Sequence, residues 1–284
     1  MTAPADAPFL LSVDLEDVRS MIPDGMRFAE RVPANTQRYL DFLARFGLRC
    51  TFFTVGDVAR RHAELVRRIA AAGHEIACHG DSHLPLDRLG AARFREELLR
   101  ARDALVRAGA GPVSGFRAPV MSLTPETGWA HEVLAEQGFR YSSSVTPART
   151  PLYGWPGHPR GPVRTRAGIW ELPLSVGGAA PLALPFLSGV YFRVLPFALI
   201  RHLFRRERRA GRAAVGYLHP YDVDLAQEHF MHPELGESRI LNALMYWNRR
   251  GVLPRLERLL REGAPVLPYR ELVARLEAAP AGGA

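Results

Sequence analysis

The sequence predicts an α/β fold built on a mainly parallel sheet, and three observations predict it. Short apolar runs alternate with amphipathic helical stretches along most of the 284 residues. Candidate site residues gather at the C-terminal ends of the strand-like runs: Asp14, His79, Arg117 and His219. In a β/α barrel that rim is where active sites form. The glycine fingerprint of dinucleotide binding does not follow the first strand. There is also no lysine to complete a phosphate loop, because all 37 basic residues are arginine.

Phe9 to Val13 is the first strand, and it runs directly into Asp14-Leu15-Glu16-Asp17. Asn35 and Thr36 are expected to cap a helix with Tyr39, Leu40, Leu43 and Phe46 on one face, ended by Gly47. Cys50 to Val55 is the second strand. Asp57 precedes a helix carrying Val58, Leu65, Val66 and Ile69, which closes at Gly73. Ile76 to Cys78 is a buried central strand ending at His79. A helix with Phe94, Leu98 and Leu105 leads to a strand at 112–116 and then Arg117-Ala118-Pro119. A helix over Glu126 to Gln137 and an extended piece over Tyr141 to Val145 follow. Residues 146–168 are rich in Pro, Gly and Arg and read as a long functional or mobile loop. Trp170-Glu171-Leu172-Pro173 resumes order, Val194 to Arg209 reads as helix, and Ala214 to Leu218 is a late strand ending at His219-Pro220. A helix over 253–261, a strand over 265–267 and a closing helix over 271–278 complete one domain spanning 1–284, with 279–284 expected to fray.

The chemistry centres on His79-Gly80-Asp81-Ser82-His83, where Gly80 permits a sharp turn. Two imidazoles so placed can converge on one divalent ion, with a third ligand from elsewhere. Asp14, Glu16 and Asp17 put three carboxylates in four residues at a strand end. Their mutual repulsion suits a cation site better than a purely structural turn.

Composition excludes several classes. With 47% hydrophobic and 23% charged residues the chain is globular. Lysine-based covalent catalysis is impossible. The net charge of +8 would allow a polyanion, but no zinc-finger or RNA-sheet pattern accompanies it, so nucleic acid is not an expected partner. The dense run Arg205-Arg206-Glu207-Arg208-Arg209 with Arg212 is a candidate contact for an anionic membrane, a solvated helix face being the plainer reading. Cys50 and Cys78 sit in apolar runs and read as buried free thiols, which suits a reducing compartment. No signal peptide or transmembrane run is evident, so a cytoplasmic location is expected.

Taken together the motifs resemble those of the polysaccharide deacetylase family (carbohydrate esterase family 4, the NodB-homology domain), in a branch whose first motif reads Asp-Val-Glu-Asp. They are Val13-Asp14-Leu15-Glu16-Asp17, Thr51-Phe52-Phe53, Gly73-His74-Glu75-Ile76 with His79 to His83, Phe116-Arg117-Ala118-Pro119, Trp170-Glu171-Leu172-Pro173, Ser188-Gly189 with Tyr191-Phe192-Arg193, and Tyr217-Leu218-His219-Pro220. The resemblance implies a distorted, incomplete (β/α) barrel and a metal-dependent hydrolase that removes an acetyl group from an amino-sugar unit. The metal would be divalent, usually zinc, held by His79, His83 and a carboxylate. That carboxylate is open between Glu16 and Asp17, with Glu16 favoured. Asp14 matches the catalytic base, Arg117 the arginine that holds it, and His219 the acid. Pro119, Trp170, Glu171, Tyr191 and Arg193 are the expected substrate-binding residues. The family branch carries an aspartate where this chain has Ser142, so any tuning of His219 passes to another carboxylate. Asp222 and Asp224 are candidates by proximity. An allantoinase-like cyclic-amide hydrolase and a non-catalytic carbohydrate-binding relic are the alternatives.

Overall fold

The structure is a computed structural model that describes residues 7–178, 183–232, 235 and 238–279. Eight strands form one sheet: β1 (Phe9–Leu15), β2 (Thr51–Thr54), β3 (Glu75–Cys78), β4 (Gly115–Phe116), β5 (Tyr141–Ser142), β6 (Val163–Arg164), β7 (Trp170–Glu171) and β8 (Ala214–Leu218). Their order is β6-β7-β5-β4-β3-β2-β1-β8, parallel throughout except for the β6–β7 pair. Among the described residues ten helices pack around it: α1 (Val32–Arg45), α2 (Gly56–Arg61), α3 (Ala63–Ala71), α4 (Gly90–Arg107), α5 (Ala130–Glu136), α6 (Gly189–Val194), α7 (Phe197–Arg209), α8 (Arg239–Tyr246), α9 (Val252–Leu260) and α10 (Tyr269–Ala278).

Strand side chains alternate between two faces, and the two faces carry different cores. From β1, Phe9, Leu11, Val13 and Leu15 join the large cluster beneath the helices. Leu10 instead packs inside the curled sheet with Phe53, Ala77, Tyr141, Leu172, Leu174 and Val215. On that inner face Leu10 is followed by Ser12 and Asp14, so the lining turns from apolar to polar toward the strand ends. Gly115 makes room for this packing, because a Cβ there would lie 2.0 Å from the Tyr141 ring. The far mouth is plugged by Tyr269, Leu272 and Val273 of α10.

The barrel is incomplete. Between β5 and β8 the regular strands give way to the irregular chain after β7. The Leu174 N–H donates to the Val145 carbonyl at 2.9 Å and the Ser175 N–H to the Val215 carbonyl at 3.1 Å. The Ser175 hydroxyl accepts from the Val215 N–H at 2.9 Å. These bonds bridge a gap that further strands would fill in a regular barrel.

Several element boundaries differ from expectation for local reasons. Helix α1 starts at Val32, because Pro33 suits the first turn, and Thr36 donates back to the Val32 carbonyl rather than capping. The helix expected near Val58 breaks at His62, which leaves helical geometry at φ −130° and ψ 47°. The helix expected from Val194 to Arg209 begins at Phe197, after Pro196, as α7, while Val194 ends the separate helix α6. The expected final strand reduces to one bridge, Val266 to Phe9. The expected loop over 146–168 includes β6, and α8 was not foreseen. Residues 280–284 of the expected frayed tail, and residues 1–6, lie outside the described residues. Both cysteines are buried and free. In the arginine run, Arg205 pairs with Glu262, Arg208 with the carbonyls of Ala7 and Glu262, and Arg212 with Glu207. Those three contacts tie α7 to neighbouring segments, with Arg205 remaining exposed.

Candidate metal centre and active site

The strand ends of β1, β3, β4 and β8 bring Asp14, Glu16, His79, His83, Arg117 and His219 together. Beyond β1 the chain turns at once, with the Glu16 N–H donating to the Asp14 carbonyl at 3.1 Å. Glu16 and Asp17 therefore diverge. The Glu16 carboxylate lies 2.7 Å from His83 Nε2 and 3.4 Å from His79 Nε2. One ligand atom from each of these three buried residues lies within 4.8 Å of the others. Asp17, the alternative ligand, turns away. It caps the turn at Val18–Met21 and takes Arg19 at 2.7 Å and Arg61 at 3.0 Å. Three charge-assisted partnerships fix it there, so Asp17 does not join the cluster.

The histidines are set by their surroundings. His79 Nδ1 lies 2.9 Å from the Arg117 carbonyl oxygen. A carbonyl only accepts, so Nδ1 carries the proton and Nε2, on the Glu16 side, is the nitrogen able to ligate an ion. His83 holds a left-handed backbone at φ 57°, an uncommon conformation for a non-glycine residue and one found at functional sites. Gly80, at φ 77°, makes the turn between them, and a side chain there would press on Pro119 at 3.4 Å. Below the loop, Glu97 accepts from the N–H groups of Asp81 and Ser82. Burial raises the Glu16 carboxyl's proton affinity, but His83 and His219 more than offset it and hold the group well below the usual carboxylate range. Two imidazole nitrogens and one carboxylate oxygen form a donor set that suits zinc and leaves further coordination positions open.

Arg117 is fully buried, and its five N–H donors are all used. Nη1 donates to Asp14 Oδ1 at 2.6 Å and Ser12 Oγ at 2.7 Å, and Nη2 to Ser143 Oγ and the Tyr269 hydroxyl, each at 2.9 Å. Nε donates to the Ser143 carbonyl at 2.9 Å. The guanidinium also sits 4.0 Å over the Phe53 ring. Asp14 is thereby pinned through Oδ1, and its Oδ2 lies 3.9 Å from His79 Nε2.

His219 stands across the cluster, with Nε2 3.8 Å from Glu16. Its Nδ1 is 2.9 Å from Asp222 Oδ2, which also accepts the His219 backbone N–H at 2.8 Å. The ring stacks on Tyr221 at 4.4 Å. Burial lowers the imidazole's proton affinity, but the carboxylates of Glu16 and Asp222 outweigh it and lift the pKa to about 9. Asp222 is held ionised, down to about 2, because Arg193 and His219 overcome its burial. Of the two carboxylates near His219 in sequence, Asp222 takes the imidazole. Asp224 faces Arg31 at 3.6 Å.

The expected substrate-binding residues divide. Pro119 lies at the rim against Gly80. Tyr191 is half-buried on α6, which begins at Gly189. Gly189 is so close to His219 that a Cβ would lie 3.2 Å from its Cε1. Arg193 is fully buried, with Nε 2.8 Å from Asp222 Oδ1, so it braces the acid pair rather than meeting solvent. Trp170 is paired in register with Tyr141, on the inner face one layer below Arg117. Glu171 points to the outer face, where it accepts from the Ser144 and Val145 N–H groups and pairs with His131 at 3.1 Å. Both are therefore wall residues. Ser12, Ser143 and Tyr269, which hold Arg117, gave no sequence signal, since they come from three distant elements.

Comparisons with known proteins bear on the family and the fold. A family model described as polysaccharide deacetylase matches residues 20–142, and one described as a domain of unknown function matches residues 143–264. A chitooligosaccharide deacetylase from Sinorhizobium fredii is 36% identical over 73 residues, which is 26% of this chain and 34% of that protein. The matched segments span about a third or less of the curated relatives' length. A Mycobacterium smegmatis structure provisionally described as a polysaccharide deacetylase superposes with a TM-score of 0.63 at 23% identity, covering 98% of this chain and 93% of that one. An allantoinase superposes with a TM-score of 0.65 at 14% identity, covering 97% and 91%. The first half of the chain thus matches the polysaccharide deacetylase family, and the chain as a whole has the incomplete-barrel fold of these two structures.

Proposed function

We propose that this chain is a metal-dependent hydrolase that removes an acetyl group from the nitrogen of an amino-sugar unit. The observation that carries the reading is one arrangement. A two-histidine, one-carboxylate cluster lies between an arginine-held aspartate and an aspartate-held histidine. We also infer that the two matched segments form one catalytic domain, because His79, His83 and Arg117 come from the first, His219 and Asp222 from the second, and Asp14 and Glu16 just precede the first.

Glu16, His79 and His83 would hold the ion, with zinc the best fit to their donor atoms. When bound, such an ion lowers the pKa of water and polarises an acyl oxygen. Asp14, with one oxygen fixed by Arg117, keeps the other oriented to accept a proton from the attacking water. Arg117 keeps that carboxylate immobile, which a base needs to act from a defined position. His219, held through Nδ1 by Asp222, presents Nε2 to the cluster and is protonated at neutral pH. It gives its proton to the departing amine nitrogen as the C–N bond breaks, leaving acetate and a free amino sugar. The acetylated sugar is thus the expected partner. The S. fredii relative's named activity supports a glycan amide as substrate.

The test is turnover on an N-acetylglucosamine oligomer, measured by acetate release. Release that falls at least about 10²-fold in both Asp14→Asn and His219→Ala supports the roles assigned. Ring opening of a cyclic amide with no acetate release from any sugar would contradict the acetyl assignment.

A further inference from the structure

Helix α8 follows the His219 loop and presents two unlike faces. Asn242 and Tyr246, one turn apart, bind the loop before it. Asn242 accepts from the His232 N–H and donates to the Phe230 carbonyl, both at 3.0 Å, and the Tyr246 hydroxyl accepts from the Phe230 N–H at 3.1 Å. Ile240 and Leu244 fall at i and i+4 on another face, and Trp247 follows as the C-cap, with extended backbone at φ −65° and ψ 135°. Ile240 is 78% exposed and Trp247 63% exposed. Single exposed apolar residues are ordinary, but an apolar stripe running from exposed Ile240 past half-buried Leu244 to the exposed cap Trp247 marks an interaction surface. The helix carries no carboxylate. Arg239 at its start and Arg250 just beyond its end are both exposed.

The stripe is rigidly registered with the site. Arg193 Nη1 takes the carbonyls of Leu244, Met245 and Trp247 at 3.1, 2.9 and 2.9 Å, while its Nε holds Asp222. The same guanidinium therefore fixes the end of α8 and the partner of His219.

We propose that α8 is an interfacial helix that seats the rim of the barrel on an anionic lipid surface. Trp247 and Ile240 would enter the boundary between headgroups and acyl chains, with Arg239 and Arg250 at headgroup level. No helix among the described residues is long and apolar enough to cross a membrane. A second copy is a poorer occupant. A two-fold contact centred on this short helix would bring Arg239 and Arg250 toward their own counterparts with no α8 carboxylate to offset them. The chain's net charge of +8 favours the anionic surface further.

The experiment is sedimentation of the intact chain with phosphatidylcholine vesicles, with and without phosphatidylglycerol, alongside tryptophan emission and light scattering. The wild type is expected to bind the anionic vesicles, with a blue shift in emission and weakening at high salt. Ile240→Ser combined with Trp247→Ser is expected to bind at least about tenfold more weakly at unchanged melting temperature. Arg239→Gln with Arg250→Gln should flatten the salt dependence. No vesicle binding by the wild type, equal binding by the apolar double variant, or a dimer that the double variant merely dissociates would each overturn the proposal. Binding is read without turnover, so it stands or falls apart from the deacetylase reading.

Discussion

At the scale of single residues, the site depends on how completely each charged group is held. Arg117 has five donors and five partners, so a lysine in its place has too few donors and leaves buried acceptors unmet, at a cost of about 1–3 kcal/mol each. Arg117→Lys is therefore expected to lose stability and, because Asp14 is no longer fixed, to cut kcat by about 10²-fold. A folded Arg117→Lys variant with full turnover would sink the role given to that contact. Asp222 offers a second test. Its charge helps lift His219 to about 9, so Asp222→Asn lowers that pKa and moves the alkaline limb of kcat toward acid. An unmoved limb would show that Asp222 does not tune the acid. The positions of the candidate residues were legible in the sequence because most of them end a strand-like run. The choice between Glu16 and Asp17 was not. It depends on the tight turn after Leu15 and on Arg19 and Arg61, which capture Asp17. Arg193 was misread for a similar reason: its motif position is right, but its depth beneath α8 is visible only in the fold.

At the scale of elements, two contacts carry predictions. Helix α6 can start beside His219 only because residue 189 is glycine, with a φ of 34° and a Cβ position 3.2 Å from the imidazole. Gly189→Ala is expected to lower turnover while the metal content stays that of the wild type, which would separate the acid from the ligand cluster. Loss of metal in that variant would contradict the separation. The second contact joins β2 to β3. His74 Nδ1 accepts the Cys50 N–H at 3.2 Å, which requires it to be unprotonated, and burial with Arg49 nearby lowers its pKa to about 4. The folded pKa lies below the unfolded value of about 6.5. This contribution is thus fully present above about pH 6.5 and is lost as pH falls toward 4. Urea titrations at neutral pH and at pH 5 should show this loss in the wild type and a smaller one in His74→Gln. Equal losses in the two would remove His74 from the account. Helix and strand identities were readable from periodicity. Their ends were set by Pro33, Pro196 and the break at His62, where local geometry overrides pattern.

At the scale of the whole molecule, the inner face of the sheet is a graded column. Tyr269 from α10, at the far mouth, reaches up to Arg117 and donates its own backbone N–H to no one above but to Thr51 below, at 2.9 Å. The plug and the active rim are therefore one bonded structure. Tyr269→Phe is expected to cost about 1–3 kcal/mol, because a buried guanidinium N–H loses its acceptor. No change in the unfolding midpoint would contradict that link. The incomplete barrel was foreseen through the family resemblance, while its closure through Leu174 and Ser175 was not, since irregular backbone has no period to read.

The central claim is that Glu16, His79 and His83, without Asp17, form a metal site. The most direct measurement is zinc stoichiometry after dialysis and reconstitution, comparing the wild type with Glu16→Ala and Asp17→Ala. About one equivalent is expected in the wild type and in Asp17→Ala, and strong loss in Glu16→Ala. Retention in Glu16→Ala with loss in a folded Asp17→Ala, or no zinc in the reconstituted wild type, would contradict it.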